Sequence, residues 1–160
     1  MTIQVGDKLP SVTITLATAE GNKPVTTDEF FAGKKVALFA LPGAFTPTCS
    51  AKHLPGFKQL ASEIKAKGVD VIACLSVNDG FVMRAWAEDQ AVGDDIVMLA
   101  DGSGDFTRAI GLELDASGAG MGKRSKRHSM IVEDGVVAAL NLEEPGEFKV
   151  SAADYMLAQL

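Results

Sequence analysis

The chain has 160 residues and a mass of 16.8 kDa, a length that suits a single domain over residues 1–160 with one self-sufficient core. With 47% hydrophobic and 22% charged residues its composition is ordinary for a globular protein, which excludes disordered, collagen-like and disulfide-scaffold classes. A net charge of -6 repels nucleic acid and anionic membranes, and neither a signal-peptide pattern nor an apolar run near the ~18 residues of a membrane span occurs, so a soluble, cytoplasmic protein is predicted.

In chain order, "SVTITL" (11–16) alternates like a half-buried strand. "KKVALFAL" (34–41) and "VDVIACLSV" (69–77) are nearly continuous apolar runs, the pattern of parallel strands covered on both faces. Between them Leu54, Phe57, Leu60, Ala61 and Ile64 recur at helical spacing up to Gly68, which makes a β-α-β unit. A second helix is predicted over 79–91, capped by Asp79, with Phe81, Ala85 and Trp86 on its apolar side. "DIVMLA" (95–100) reads as a strand, "FTRAIGL" as a short helix and "SGAGMGKRS" (117–125) as a flexible loop. "RHSMIVEDGVVAALNL" is a hairpin turning at Asp134-Gly135, and a last helix starts at Ser151. The order describes an α/β fold, a mixed central sheet with helices on both faces, for which the thioredoxin-like arrangement is the natural candidate.

Cys49 and Cys74 are the only cysteines, too far apart in sequence for a Cys-x-x-Cys pair. Cys74 lies within an apolar strand and reads as a packing residue. Cys49 follows a buried strand and a loop bent at Pro42-Gly43 and Thr46-Pro47, which places it in the first turn of a helix. There the unpaired N–H groups and the positive dipole end favour an anion, and such cysteines have pKa values lowered toward roughly 3.5–7.5. Ionisation alone raises the reactive fraction only about tenfold, so donors aimed at developing charge are also required. The Cys49 amide, Thr46, Thr48 and a distant cation are candidates. The competing reading of Cys49 is a small buried hydrophobe.

His53 stands four residues after Cys49, but no third group to orient it is evident, so it reads as a solvated surface histidine. Cys49, His53, Cys74 and His128 show no zinc-finger spacing, and "SGAGMGKRS" lacks the first glycine and the terminal Ser/Thr of a phosphate loop. Neither a metal nor a cofactor is predicted. Pro55 removes one ladder bond and predicts a kink that separates the Cys49 turn from the rest of the helix.

"PGAFTPTCSAKHLPGF" resembles the active-site segment of peroxiredoxins of the type II, or peroxiredoxin-five-like, branch, whose Pro-x-x-x-Thr-x-x-Cys pattern falls on Pro42, Thr46 and Cys49. "KRHSMIVEDG" resembles the segment that carries the family's active-site arginine, here Arg127, and with "VDVIACLSVND" the resemblance extends over almost the whole chain. It implies a thioredoxin-like fold and a peroxidase acting on hydrogen peroxide and organic hydroperoxides, with Cys49 as the nucleophile that becomes a sulfenic acid. It further implies that Thr46, Arg127 and the Cys49 amide hold the sulfur and the peroxide oxygens, and that Pro42 shields the pocket. Lys123, Arg124 and Lys126 match no catalytic position and read as a solvated basic stretch.

Val150 stands about where some members carry a resolving cysteine, so the chain resembles one-cysteine members re-reduced by glutathione with glutaredoxin, or by thioredoxin. Cys74 as an internal resolver would need Cα atoms within ~7 Å of each other and opening of the turn before Pro55. A homodimer with Phe45 at the contact is expected. A monothiol disulfide oxidoreductase and a peroxide-sensing interaction protein are the competing functional classes.

Overall fold

β1 (Thr13–Thr18) and β2 (Gly21–Thr26) form a hairpin, and α1 (Thr27–Phe31) follows in a computed structural model that describes residues 1–160. Next come β3 (Lys35–Ala40), a π-helical turn at Cys49–His53, α2 (Leu54–Gln59), α3 (Ala61–Ala66), β4 (Val71–Ser76), α4 (Gly80–Asp89) and β5 (Val97–Ala100). The chain ends with α5 (Asp105–Ala109), β6 (Glu113–Asp115), β7 (Lys123–Ser125), β8 (His128–Glu133), β9 (Val136–Leu142) and α6 (Ala153–Gln159). Seven strands pair in the order β2-β1-β5-β4-β3-β8-β9, with β3, β4 and β5 parallel in the centre and antiparallel strands on both sides.

Side chains alternate along a strand, so each continuous apolar run supplies two cores. Ala37 and Phe39 of β3, Cys74 of β4 and Met98 of β5 face one cluster under α2, α3, α4 and α6. Val36, Leu38 and Ala40 face the other, under α1 and α5, together with Phe31, Leu75, Phe106 and Met130. On the first face Phe39 and Phe57 stack at 4.1 Å between centroids with their planes 3° apart. An aromatic pair of this kind contributes ~0.5–1.5 kcal/mol beyond its buried area, and here it fastens α2 to the strand that precedes the Cys49 loop. No helix is long and apolar enough to cross a membrane.

The mixed sheet, the β-α-β unit, the Asp79 cap (Oδ1 accepting from Val82 N at 2.9 Å) and the hairpin at Asp134-Gly135, with φ of 47° and 78°, are as the sequence predicts. Other expectations are corrected. Phe81 is 79% exposed and Ala85 also faces solvent; the inner face of α4 is Met83 and Trp86, flanked by Val82 and Ala87. The segment read as a flexible loop contains a 3-10 turn at Ser117–Ala119 and strand β7, paired with β6. β2 and α1 had no strong periodicity and were not anticipated.

Pro55 does not kink a continuous α-helix. Its ring excludes the carbonyl of Ala51, four residues back, so the preceding turn widens to the π pattern, with the Leu54 N–H donating to the Cys49 carbonyl. α2 then restarts with Pro55 in its first turn, where a missing N–H costs little.

His128 on β8 is fully buried; its Nδ1–H donates to the Lys126 carbonyl at 3.0 Å and its Nε2 has no partner. Burial pushes its pKa down from 6.5 to about 4, against the opposing pull of that carbonyl. The folded value lies below the unfolded one, so this group's contribution to stability is complete above pH 6.5 and is lost as the pH falls toward about 4. Urea unfolding between pH 7 and pH 4 checks this. His128→Leu should flatten the pH slope of stability by up to about 1.4 kcal/mol per pH unit, and a variant with the parental slope would contradict it.

Candidate active site

The loop between β3 and the π turn is held from several sides. Ser76 Oγ donates to the Leu41 carbonyl at 3.3 Å and to Asn78 Oδ1 at 2.6 Å, and the same Oδ1 accepts the Ala44 N–H at 2.9 Å. Thr46 Oγ1 donates to the Gly43 carbonyl at 2.7 Å, closing the turn. Arg124 Nη1 donates to the Pro42 carbonyl at 3.3 Å and crosses Gly43 so closely that a Cβ there would lie 2.8 Å from the guanidinium. A side chain at position 43 would therefore push the Arg124 guanidinium away from the Pro42 carbonyl. Phe45, at φ 62°, is 53% exposed.

Ser50 N donates to the Thr46 carbonyl at 2.9 Å, so the helix starts at the Thr46-Pro47 bend and Cys49 sits in its first turn, as expected from the prolines. Ser50 Oγ accepts from Trp86 Nε1 at 3.0 Å, which ties that turn to α4. Cys49 itself is fully buried.

Arg127, on the approach to β8, reaches back to this turn. Its Nη2 donates to Cys49 Sγ at 3.2 Å and its Nη1 donates to His53 Nδ1 at 2.8 Å. The register places Ala40 opposite His128, so the residue before His128 falls beside the end of β3, where the Cys49 loop begins. Phe148 covers the guanidinium with its ring centroid 5.8 Å away.

Two of the four residues singled out from the sequence line one opening, and a third, Cys49, lies buried behind it against Arg127. Pro42 and Arg127, with Thr48, Lys52 and Phe148, line a cavity of about 790 Å3, and Arg127 extends from it to the sulfur. Thr46 lies in the adjoining turn with its hydroxyl proton committed to Gly43. Its oxygen keeps lone pairs that accept a further donor.

Two readings are corrected. His53 is not a surface histidine: it is fully buried, lies against Phe39, Phe57 and Phe148 at 5.0, 5.8 and 5.1 Å, and bonds Arg127 and the Ser151 carbonyl. The groups that orient it come from residues 127 and 151, far away in sequence. Its spacing of four from Cys49, on the same side of the turn, was the one available signal. Arg124 is not a solvated member of a basic stretch, being half-buried and bonded to the Met121 and Pro42 carbonyls, whereas Lys123 pairs with Asp115 at 3.0 Å at the surface and Lys126 is exposed.

Cys74 faces the same apolar cluster as Cys49 and is fully buried. Burial, and secondarily the neighbouring Cys49, push its thiol pKa up. A thiol held protonated is a poor nucleophile, which agrees with a packing role.

The redoxin family profile matches residues 4–157. The chain is 56% identical to the chloroplastic peroxiredoxin-2E-2 of Oryza sativa subsp. japonica, over 99% of this chain and 73% of that protein. It is 47% identical to peroxiredoxin-2B of Arabidopsis thaliana, over 99% and 98%. Among solved structures, reduced Prx3 of Vibrio vulnificus in complex with hydrogen peroxide superimposes with a TM-score of 0.95 at 54% identity, covering 99% of each chain. A buried cysteine at a helix start with an arginine on its sulfur, in a thioredoxin-like fold, thus occurs in a chain that belongs to the peroxiredoxins, thiol-dependent peroxidases of the redoxin family.

Proposed function

We propose that the protein reduces hydrogen peroxide and organic hydroperoxides by a one-cysteine cycle centred on Cys49. The observation that carries this reading is the Arg127 Nη2 donor 3.2 Å from Cys49 Sγ, on a guanidinium that also lines the open cavity. The Cys49 thiolate attacks the outer oxygen of the peroxide, an S–O bond forms and the O–O bond breaks. The sulfur is oxidised to the sulfenic acid and keeps the OH, while the other oxygen leaves as an alkoxide or hydroxide and takes a proton. Arg127 and the first-turn N–H groups stabilise that departing negative charge. Thr46 Oγ1, whose own proton goes to Gly43, accepts from the peroxide O–H, and Pro42 walls the opening.

An external thiol then condenses with the sulfenic acid, releasing water, and a second thiol resolves the mixed disulfide. The raised pKa of Cys74 and the presence of Val150 where a resolving cysteine would stand support an outside reductant, glutathione with glutaredoxin or thioredoxin. Phe45 and Phe81, 53% and 79% exposed, support a homodimer.

Peroxide consumption with each reductant in turn tests the cycle. Arg127→Gln should slow the reaction roughly 10²–10³-fold, Cys49→Ser should reduce it to background, and Cys74→Ser should match wild type. Turnover that depends on Cys74 would refute the one-cysteine cycle. For the dimer, sedimentation at several concentrations should show Phe45→Glu shifted to monomer, and an unshifted variant would remove Phe45 from the contact.

A further inference from the structure

We infer that His53 is a positioning residue, whose ring holds the Arg127 guanidinium where it meets Cys49 Sγ and is itself held by the loop 143–151. The inference rests on the peroxidase role proposed for Cys49 and Arg127.

The guanidinium is planar and rigid, so fixing Nη1 also fixes Nη2. Nη1 donates to His53 Nδ1 at 2.8 Å and Nη2 donates to Cys49 Sγ at 3.2 Å. An arginine carries no acceptor, so Nδ1 must be unprotonated, and the ring is the neutral tautomer with its proton on Nε2. That Nε2–H donates to the Ser151 carbonyl at 3.0 Å. Ser151 is anchored in turn by Glu143, whose Oε2 accepts from Ser151 Oγ at 2.6 Å, Ser151 N at 2.8 Å and Lys149 N at 2.7 Å. One chain of contacts therefore runs from Glu143 through Ser151, His53 and Arg127 to the sulfur.

Burial among three aromatic rings and the charge of Arg127 push the His53 pKa down from 6.5 to about 3, with the Ser151 carbonyl and His128 as smaller influences of opposite sign. The ring thus keeps its lone pair turned to the guanidinium. A histidine that only filled space would need neither a cation on one nitrogen nor a carbonyl on the other.

The test is the single-turnover rate constant for oxidation of Cys49 by hydrogen peroxide in three variants, with thermal melting measured alongside. His53→Asn keeps an acceptor near the Nδ1 position, His53→Gln places its amide near the Nε2 position, and His53→Leu keeps neither bond. The Leu and Gln variants should react roughly 10–100-fold more slowly than wild type, as expected when a reacting group is misplaced by about 1 Å, while Asn should largely recover the wild-type rate. If His53→Leu does not fold, the Asn and Gln pair decides. Asn and Gln variants that fold and are equally slow would overturn the inference, as would a Leu variant as fast as wild type. A wild-type protein whose Cys49 does not react with peroxide would overturn the reading of the site itself, and the positioning role with it.

Discussion

Arg127 brings a full positive charge into a half-buried position, and that charge needs partners that accept hydrogen bonds without answering back as donors. Cys49 Sγ and His53 Nδ1 are those partners, at 3.2 and 2.8 Å. Both stand on the π turn that follows β3, while the arginine arrives from the residue just before the neighbouring strand β8. The site is therefore a junction between two segments more than seventy residues apart, at separations of 78 and 74.

The strand order makes this junction. β3 lies between β4, whose end supplies Ser76 and, two residues on, Asn78 to fasten the loop, and β8, which Arg127 immediately precedes. Because β3 is buried on both faces, its end is a rigid point from which the loop departs, and the stacked Phe39–Phe57 pair returns the following helix to the same strand. Arg124 crosses Gly43 from the other side to the Pro42 carbonyl, so the opening is framed by backbone held at both ends.

The π turn has a chemical consequence. Widening by one residue before Pro55 turns Cys49 and His53 toward Arg127 together, and it leaves the turn bounded by a proline at each end, Pro47 and Pro55. Trp86 on Ser50 and Arg127 on His53 then hold a short segment that the ordinary α ladder does not.

Local chemistry made much of this legible from residues alone. The parallel strands follow from unbroken apolar runs, the Asp134-Gly135 turn from two residues that tolerate positive φ, and the helix-start position of Cys49 from the prolines around it. These depend on neighbours in sequence, and Pro42, Thr46, Cys49 and Arg127 were recognisable through the resemblance of their segments. His53 was not, because its role depends on a guanidinium and a carbonyl that arrive from elsewhere in the chain, and a histidine four places from a cysteine carries no sign of either. Glu143 and Ser151 were equally silent, since an acidic residue beside a Glu-Pro pair looks solvated until the loop 143–151 folds over it. Phe81 misled in the opposite direction: its spacing suits the inner face of α4, but the strands beneath α4 are filled by Met83 and Trp86. Periodicity and proline chemistry specify which segments are strands and helices and where a thiol is exposed to a helix start. Which distant charge meets that thiol depends on strand order and register, and these are properties of the packed sheet.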